Sequence, residues 1–215
     1  MEILGYVGAL FIGLVLGLTG GGGSILTVPI LVYLMSINPV TATAYSLFIV
    51  GTTSTFGAIQ NYRKNLVDIK NGFIFAIPSF IAVYLTRKYI VSEIPKVIIE
   101  SPILITKDTF LMLFFAVIMV FGALSVLKKK SQNTNSEEKR NLILIGIQTF
   151  TIGIIIGLVG AGGGFLIIPS LILFAKLPMR KAVGTSLFII AMNSLVGFIG
   201  DVQNLEIDWL FLLTF

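Results

Sequence analysis

Two glycine-rich stretches carry the residues best suited to bind a ligand. The first contains Gly20, Gly21, Gly22 and Gly23 before Ser24, and the second contains Gly160, Gly162, Gly163 and Gly164. Four glycines in a row within an apolar helix would cost about 1 kcal/mol each relative to alanine, so they predict a break between two helices. A helix that begins after such a break exposes N–H groups and the positive end of its dipole, which attract anions. We therefore expect an anion site at the glycines; the alternative is that they only allow close helix packing.

The two stretches belong to one internal repeat. Residues 17–60 align with residues 157–200 at a constant offset of 140 (157 − 17), and 16 of these 44 positions are identical. Each copy has a proline after its glycines, Pro29 and Pro169, and each continues into Ser-Leu-Phe-Ile at Ser46 and Ser186. A match of this length without a gap indicates a duplication.

Long uncharged segments surround both copies. Hydrophobic residues make up 56% of the 215 positions and charged residues 12%, whereas soluble domains have about 25% charged residues. The mean hydropathy is +1.00. No Asp, Glu, Lys or Arg occurs in residues 3–62, 141–175 or 182–200. Because about 20 apolar residues of helix cross a bilayer, the pattern predicts an all-α, polytopic membrane protein.

The composition argues against several other functions. The sequence has no Cys and no His, so it lacks thiolate nucleophiles, imidazole bases and the usual zinc ligands, and we expect no cofactor or metal. The net charge is +5, but the cations lie in short loops, which indicates positive-inside topology rather than nucleic-acid binding. The predicted spans contain no acidic residue, which disfavours an enzyme and leaves any proton coupling to water, the substrate itself or a segment missing from the end of the sequence.

The apolar segments divide into nine predicted spans. Spans A to E cover 3–18, 24–35, 40–59, 71–85 and 109–127, and spans A′ to D′ cover 142–158, 164–175, 182–200 and residues from 207. Residues 1–127 thus form the first repeat, 128–141 a basic cytoplasmic linker and 142–215 the second repeat. Residues 87–108 and 201–206 are expected to be loops. The counterpart of span E would end near residue 267 (127 + 140), so we expect the sequence to be truncated.

Loop charges predict that the second repeat is inverted relative to the first. The C–D loop carries Arg63, Lys64 and Lys70, whereas its counterpart carries Asp201, Glu206 and Asp208. The B–C loop is uncharged, whereas its counterpart carries Lys176, Arg180 and Lys181. Because Lys and Arg mark the cytoplasmic side, the equivalent loops should lie on opposite sides of the membrane, with the N-terminus outside. Inverted repeats are common in secondary transporters.

Polar side chains on spans C and C′ are further candidates for the site. They are Ser46, Thr53, Thr185, Ser186 and Asn193. Ser and Thr can instead bond to their own helix, which is the competing interpretation for each of them. Asn193 is the strongest candidate for a contact between helices or with a ligand.

The doubled pattern Gly-x-x-Gly-x-Gly-Gly-x-x-x-x-x-Pro, followed by Ala-x-x-x-Ser-Leu-Phe, resembles the sulfite exporter TauE/SafE family of membrane permeases. The resemblance implies transport of small sulfur-containing anions such as sulfite, sulfoacetate or thiosulfate, or of other organic anions, across the plasma (cell) membrane. By motif match it points to Gly20, Gly22, Gly23, Pro29 and Ser46, and to Gly160, Gly162, Gly163, Pro169, Thr185 and Ser186. The first repeat has Ala44-Tyr45 where the second has Gly184-Thr185, so the two half-sites differ.

The sequence therefore predicts a permease that moves a small anion by alternating access around two glycine-broken helices. An anion channel and a non-transporting membrane scaffold remain as alternatives. Saturable flux with counterflow would distinguish a carrier from a channel, and a scaffold would show no anion-dependent thermal shift.

Overall fold

The computed structural model describes residues 8–15, 24–95, 97–99, 105–127, 142–160, 162–202 and 204–214. The first glycine run, Gly20 to Gly23, and the linker predicted over 128–141 lie outside these ranges. Helix α1 covers 8–15. The other helices are α2 (Ser24–Pro29, continued by a π-helical turn Ile30–Leu34), α3 (Pro39–Arg63), α4 (Ile69–Leu85, continued by a π-helical turn Thr86–Val91), α5 (Lys107–Leu127), α6 (Leu142–Val159), α7 (Gly164–Phe174), α8 (Met179–Val202) and α9 (Trp209–Thr214).

The fold is all-α, as the sequence predicts, with one small hairpin. Strands β1 (Val97–Ile99) and β2 (Ile105–Thr106) pair antiparallel in the connection between α4 and α5. Within the described ranges, two helical segments are long and apolar enough to cross a membrane, Ile69–Val91 and Met179–Val202. The number of crossings and the inverted repeat stay predictions.

Helix boundaries follow local capping signals. The Asn38 side chain accepts a hydrogen bond from the Val40 N–H at 2.9 Å, and Pro39 occupies the first turn of α3, where its missing N–H costs nothing. The Asp68 side chain caps α4 by accepting from the Asn71 N–H at 3.0 Å. Most predicted spans agree with the observed helices to within a few residues.

Two predicted loop boundaries are wrong, and both errors involve charges. The expectation that residue 87 begins a loop fails because α4 continues helically to Val91. Asp201, expected in a loop, lies in α8. Arg87 and Asp201 form an ion pair inside the protein, so neither charge forces its helix to end at an aqueous surface.

Helices α3 and α8 form the centre of the molecule and run antiparallel. A methyl group on Gly57 would lie 3.1 Å from Leu187, and one on Gly197 would lie 3.2 Å from Leu47. The second contact is the first one transposed by the repeat offset, because 197 is 57 + 140 and 187 is 47 + 140. Equivalent helices of the two copies thus touch through equivalent residues.

Hydrogen bonds group the loops at two ends of the bundle. At one end, the Asp68 N–H after α3 donates to Thr185 Oγ1 at the start of α8, at 2.9 Å. At the other end, Asn38 donates to Asp108 at 3.0 Å, and the Asp208 N–H donates to Tyr45 Oη at 2.9 Å. The loops that carry the Lys and Arg clusters, C–D and B′–C′, therefore share one end.

Candidate functional site

The second glycine run breaks the helix, as its composition predicts. Gly160, Gly162 and Gly163 have positive φ angles of 70°, 65° and 73°. L-residues with a Cβ rarely adopt this left-handed backbone, whereas glycine does so at little cost. Helix α6 ends at Val159 and α7 begins at Gly164, so the helix is interrupted between these residues.

The start of α7 exposes backbone donors at this break. The N–H groups of Leu166 and Ile167 both donate to the Gly163 carbonyl at 3.0 Å. The amides of Gly164 and Phe165 come before these bonds, so they have no acceptor within the helix. Helix α7 has 11 residues, and the positive end of its dipole points toward the glycine run.

A buried arginine lies against the break. A methyl group on Gly160 would overlap Nη2 of Arg87 and Cβ of Thr43. Two residues later, a methyl group on Gly162 would lie 3.1 Å from Ser194 Oγ. The glycines therefore allow the backbone to approach a cation and a hydroxyl directly.

Arg87 is fully buried and only partly paired. Its Nη1 group donates to Thr43 Oγ1 at 3.0 Å and lies 3.3 Å from Asp201 Oδ2. Its Nε and Nη2 groups have no hydrogen-bond partner among the described residues. A buried guanidinium normally uses most of its five N–H donors, so two free nitrogens indicate a place for an acceptor.

Arg87 and Asp201 correct two expectations from the sequence. We expected an anion site without a cationic side chain and spans without a carboxylate. Instead, Arg87 is 0% and Asp201 3% exposed, and both lie within helices. Two features of the sequence could have indicated this pair: each residue directly follows an apolar segment, and the two charges are opposite.

The other predicted polar residues fall into two groups: some have buried atoms without a partner among the described residues, and others form hydrogen bonds with their own helix or a loop. Ser46 is buried, and its Oγ has no partner among the described residues. Asn193 Oδ1 accepts from Ser79 Oγ at 2.9 Å, while its Nδ2 has no partner there. Ser186 donates to the Val183 carbonyl at 2.8 Å, and Thr185 binds the loop before α4.

Thr53 bonds to its own helix. Its hydroxyl donates to the Ile49 carbonyl at 2.6 Å. It lines a cavity of about 710 Å³ between α1 and α3, together with Gly13 and Gln60. Its role at the site stays a prediction.

The prolines lie where the repeat predicts them, inside α2 and α7. Pro29 ends the α-helical part of α2, and a π-helical turn follows. Val28 in α2 packs in one apolar cluster with Val159, the last residue of α6. Helix α2, which starts at Ser24, thus comes close to the second glycine break, although the first glycine run itself is outside the described residues.

Two further buried serines were not among the candidate site residues. Ser54 and Ser194 are equivalent in the two repeats, and neither Oγ has a partner within the described part of the chain. Both occupy identical positions of the repeat. The presence of a serine alone, however, does not show whether its hydroxyl bonds to its own helix, as that of Ser170 does.

Sequence comparisons show which proteins the chain is similar to. The chain matches the sulfite exporter TauE/SafE family over residues 6–215. It is 27% identical over 203 residues to a probable membrane transporter protein of Xylella fastidiosa (strain 9a5c), covering 92% of this chain and 73% of that protein. It is 29% identical over 207 residues to the probable membrane transporter protein YdhB of Bacillus subtilis (strain 168), covering 94% and 79%. No solved structure matches the chain. With its apolar helices and doubled glycine motif, the chain belongs to the sulfite exporter TauE/SafE family of membrane transporters.

Proposed function

We propose that this protein carries a small oxyanion across the cell membrane and that Arg87 recognises it. The observation that carries the proposal is the buried guanidinium at the glycine break, with Nε and Nη2 unpartnered among the described residues. These nitrogens belong to a planar fork that matches two oxygens of a sulfite, sulfonate or carboxylate group. Thiosulfate and sulfoacetate present similar oxygens and belong to the same proposed class.

The glycine break extends the proposed site from Arg87 toward the centre of the bundle. Gly160 contacts Arg87, and Gly162 contacts Ser194. The hydroxyl of Ser194, which has no partner among the described residues, can donate to the same anion, and the positive end of the α7 dipole favours a negative charge there. By repeat symmetry, Gly20 to Gly23, Ser24 and Ser46 would supply the corresponding half, with Asn193 near the centre.

Alternating access around an inverted repeat is the proposed mechanism. It is supported by the reciprocal contacts of α3 and α8 and by the cation-rich loops at one end, which we assign to the cytoplasm. The Arg87–Asp201 pair lies at the opposite end, near the start of α3 and the end of α8. We propose that this pair closes the external end when no anion is bound, in a multi-pass protein with the N-terminus outside.

Flux in proteoliposomes tests the proposal. Wild-type protein should show saturable counterflow with sulfite, thiosulfate, methanesulfonate or acetate. Arg87→Lys keeps the charge beside Asp201 but loses the planar fork, so KM should rise about tenfold or more, because each charge-assisted hydrogen bond contributes about 1.5–3 kcal/mol.

The matched control is Arg180→Lys, at an exposed position in the first turn of α8, and its KM should not change. The same KM for both variants would contradict the assignment of Arg87. Flux without saturation or counterflow would favour a channel, and no anion-dependent thermal shift would favour a scaffold.

A further inference from the structure

Asp201 is the one acidic side chain that touches Arg87 among the described residues, and it lies on the Nη1 side of the guanidinium. Its Oδ2 atom lies 3.3 Å from Nη1 of Arg87 and has no hydrogen-bond partner within the described ranges. The residue is 3% exposed. An oxyanion at the unpartnered Nε and Nη2 atoms would bring a second negative charge to the same guanidinium.

The charges around this pair sum to zero before an anion binds. Arg87 and Lys107 are the cations that act on Asp201. Lys107, in the first turn of α5, lies beside Asp108 and donates to the Val91 carbonyl. Asp108 offsets the charge of its neighbour Lys107, so Arg87 and Asp201 remain as a buried pair with no net charge to balance an added anion.

Adding one anion without compensation would bury an unbalanced charge, which costs several kcal/mol in a low-dielectric interior. Two responses are available to the protein. Asp201 could leave the interior, but it lies buried in α8 next to Gly200, where an added methyl group would lie 3.2 Å from Arg87 Cβ. The other response is to take up a proton on the carboxylate.

We infer that Asp201 is the proton carrier that couples anion binding at Arg87 to proton movement, so that one anion and one proton cross together. This inference rests on the proposed function. In the coupled step, a hydronium ion on the side where the anion enters gives its proton to Oδ2 and becomes water, the ion pair with Nη1 separates, and an oxygen of the anion accepts from Nε or Nη2. When the anion leaves, the proton leaves and the ion pair forms again.

The experiment uses methanesulfonate, a monovalent anion whose acid is too strong to carry the proton itself. Proteoliposomes with the membrane potential clamped at zero receive labelled methanesulfonate and an external acid step. Wild-type protein should accumulate the anion about tenfold per pH unit, since one proton accompanies each anion. A pH-sensitive dye inside the vesicles should report internal acidification in step with uptake.

Asp201→Asn removes the proton site but keeps the shape. The flux of methanesulfonate through this variant should ignore the acid step and should respond to an imposed membrane potential, because it now moves net charge. Glu206→Gln is the control: it removes an exposed carboxylate at the same end of the bundle, and it should accumulate the anion as the wild type does.

The outcomes separate the two proposals. Wild-type exchange without acidification, or acid-driven accumulation by Asp201→Asn equal to the wild type, would overturn the coupling while leaving the anion site in place. Absence of wild-type exchange with methanesulfonate overturns the coupling as stated, and absence with sulfite and thiosulfate as well overturns the proposed function. The dye measurement on wild-type protein decides the coupling even if Asp201→Asn does not fold.

Discussion

Thr43 accepts a hydrogen bond from Arg87 Nη1 at 3.0 Å and ties the start of α3 to the end of α4. The same hydroxyl donates to the Val40 carbonyl at 2.8 Å. Because its proton is used toward Val40, the oxygen presents a lone pair to the guanidinium. The threonine therefore orients Arg87 as well as stabilising its charge.

Replacing Thr43 with valine should weaken both the fold and anion recognition. Thr43→Val keeps the shape but leaves Nη1 with Asp201 alone, so the free energy of unfolding should fall by about 1–3 kcal/mol. Thr43→Ser keeps the hydroxyl and should behave nearly as the wild type in thermal unfolding and in the KM for sulfite. Equal losses in both variants would show that the methyl group, and not the hydroxyl, matters at this position.

Gly160→Ala should lower stability and flux more than Gly146→Ala, a change within α6. At φ +70° the added methyl group is strained and would overlap Arg87 and Thr43, so we expect a loss of more than about 1 kcal/mol of stability and of most flux. Gly146→Ala is the control, because no atom lies within 4 Å of its added methyl group. In that helix interior alanine should raise the melting temperature slightly. A harmless Gly160→Ala would contradict the close approach to Arg87.

Removing the Ser194 hydroxyl should lower anion affinity without lowering stability. Its Oγ has no partner within the described residues, so Ser194→Ala relieves an unpaired buried group and should leave the melting temperature unchanged or higher. Anion affinity should fall, because a donor near Gly162 is lost. Ser170→Ala removes a hydroxyl that bonds to the Leu166 carbonyl at 2.7 Å and should leave affinity unchanged. Lower melting temperature with unchanged affinity in Ser194→Ala would assign this serine to folding alone.

The absence of cysteine from the sequence makes single-cysteine labelling a direct test of sidedness. Lys64→Cys and Arg180→Cys lie in the cation-rich loops and should react with an impermeant maleimide only from the cytoplasmic side. Glu93→Cys and Glu206→Cys, at the opposite end, should react only from outside. All four positions are exposed. Labelling of Lys64→Cys and Glu206→Cys from the same side would rule out the proposed arrangement.

The sequence predicted the helices well because their apolar runs, capping residues and glycine break act locally. It placed α6, α7 and the break between them from composition alone. It failed at Arg87 and Asp201, since a charge after an apolar run normally marks an aqueous loop. Only the tertiary pairing of α4 with α8 makes these charges compatible with burial, and pairing over 114 residues (201 − 87) leaves no local signal. Likewise, nothing local separates the unpartnered Ser194 from the back-bonded Ser186.

The contacts of Gly57 with Leu187 and of Gly197 with Leu47 have a consequence for how such a molecule could arise. Each copy carries both a protruding leucine and, ten residues later (57 − 47), a recess that receives one. Such a surface is complementary to an antiparallel copy of itself, so two separate halves could associate as a homodimer before any linker joined them. In a homodimer, a mutation at either position alters both contacts, whereas in the fused chain it alters only one. The two halves of the fused chain can therefore diverge.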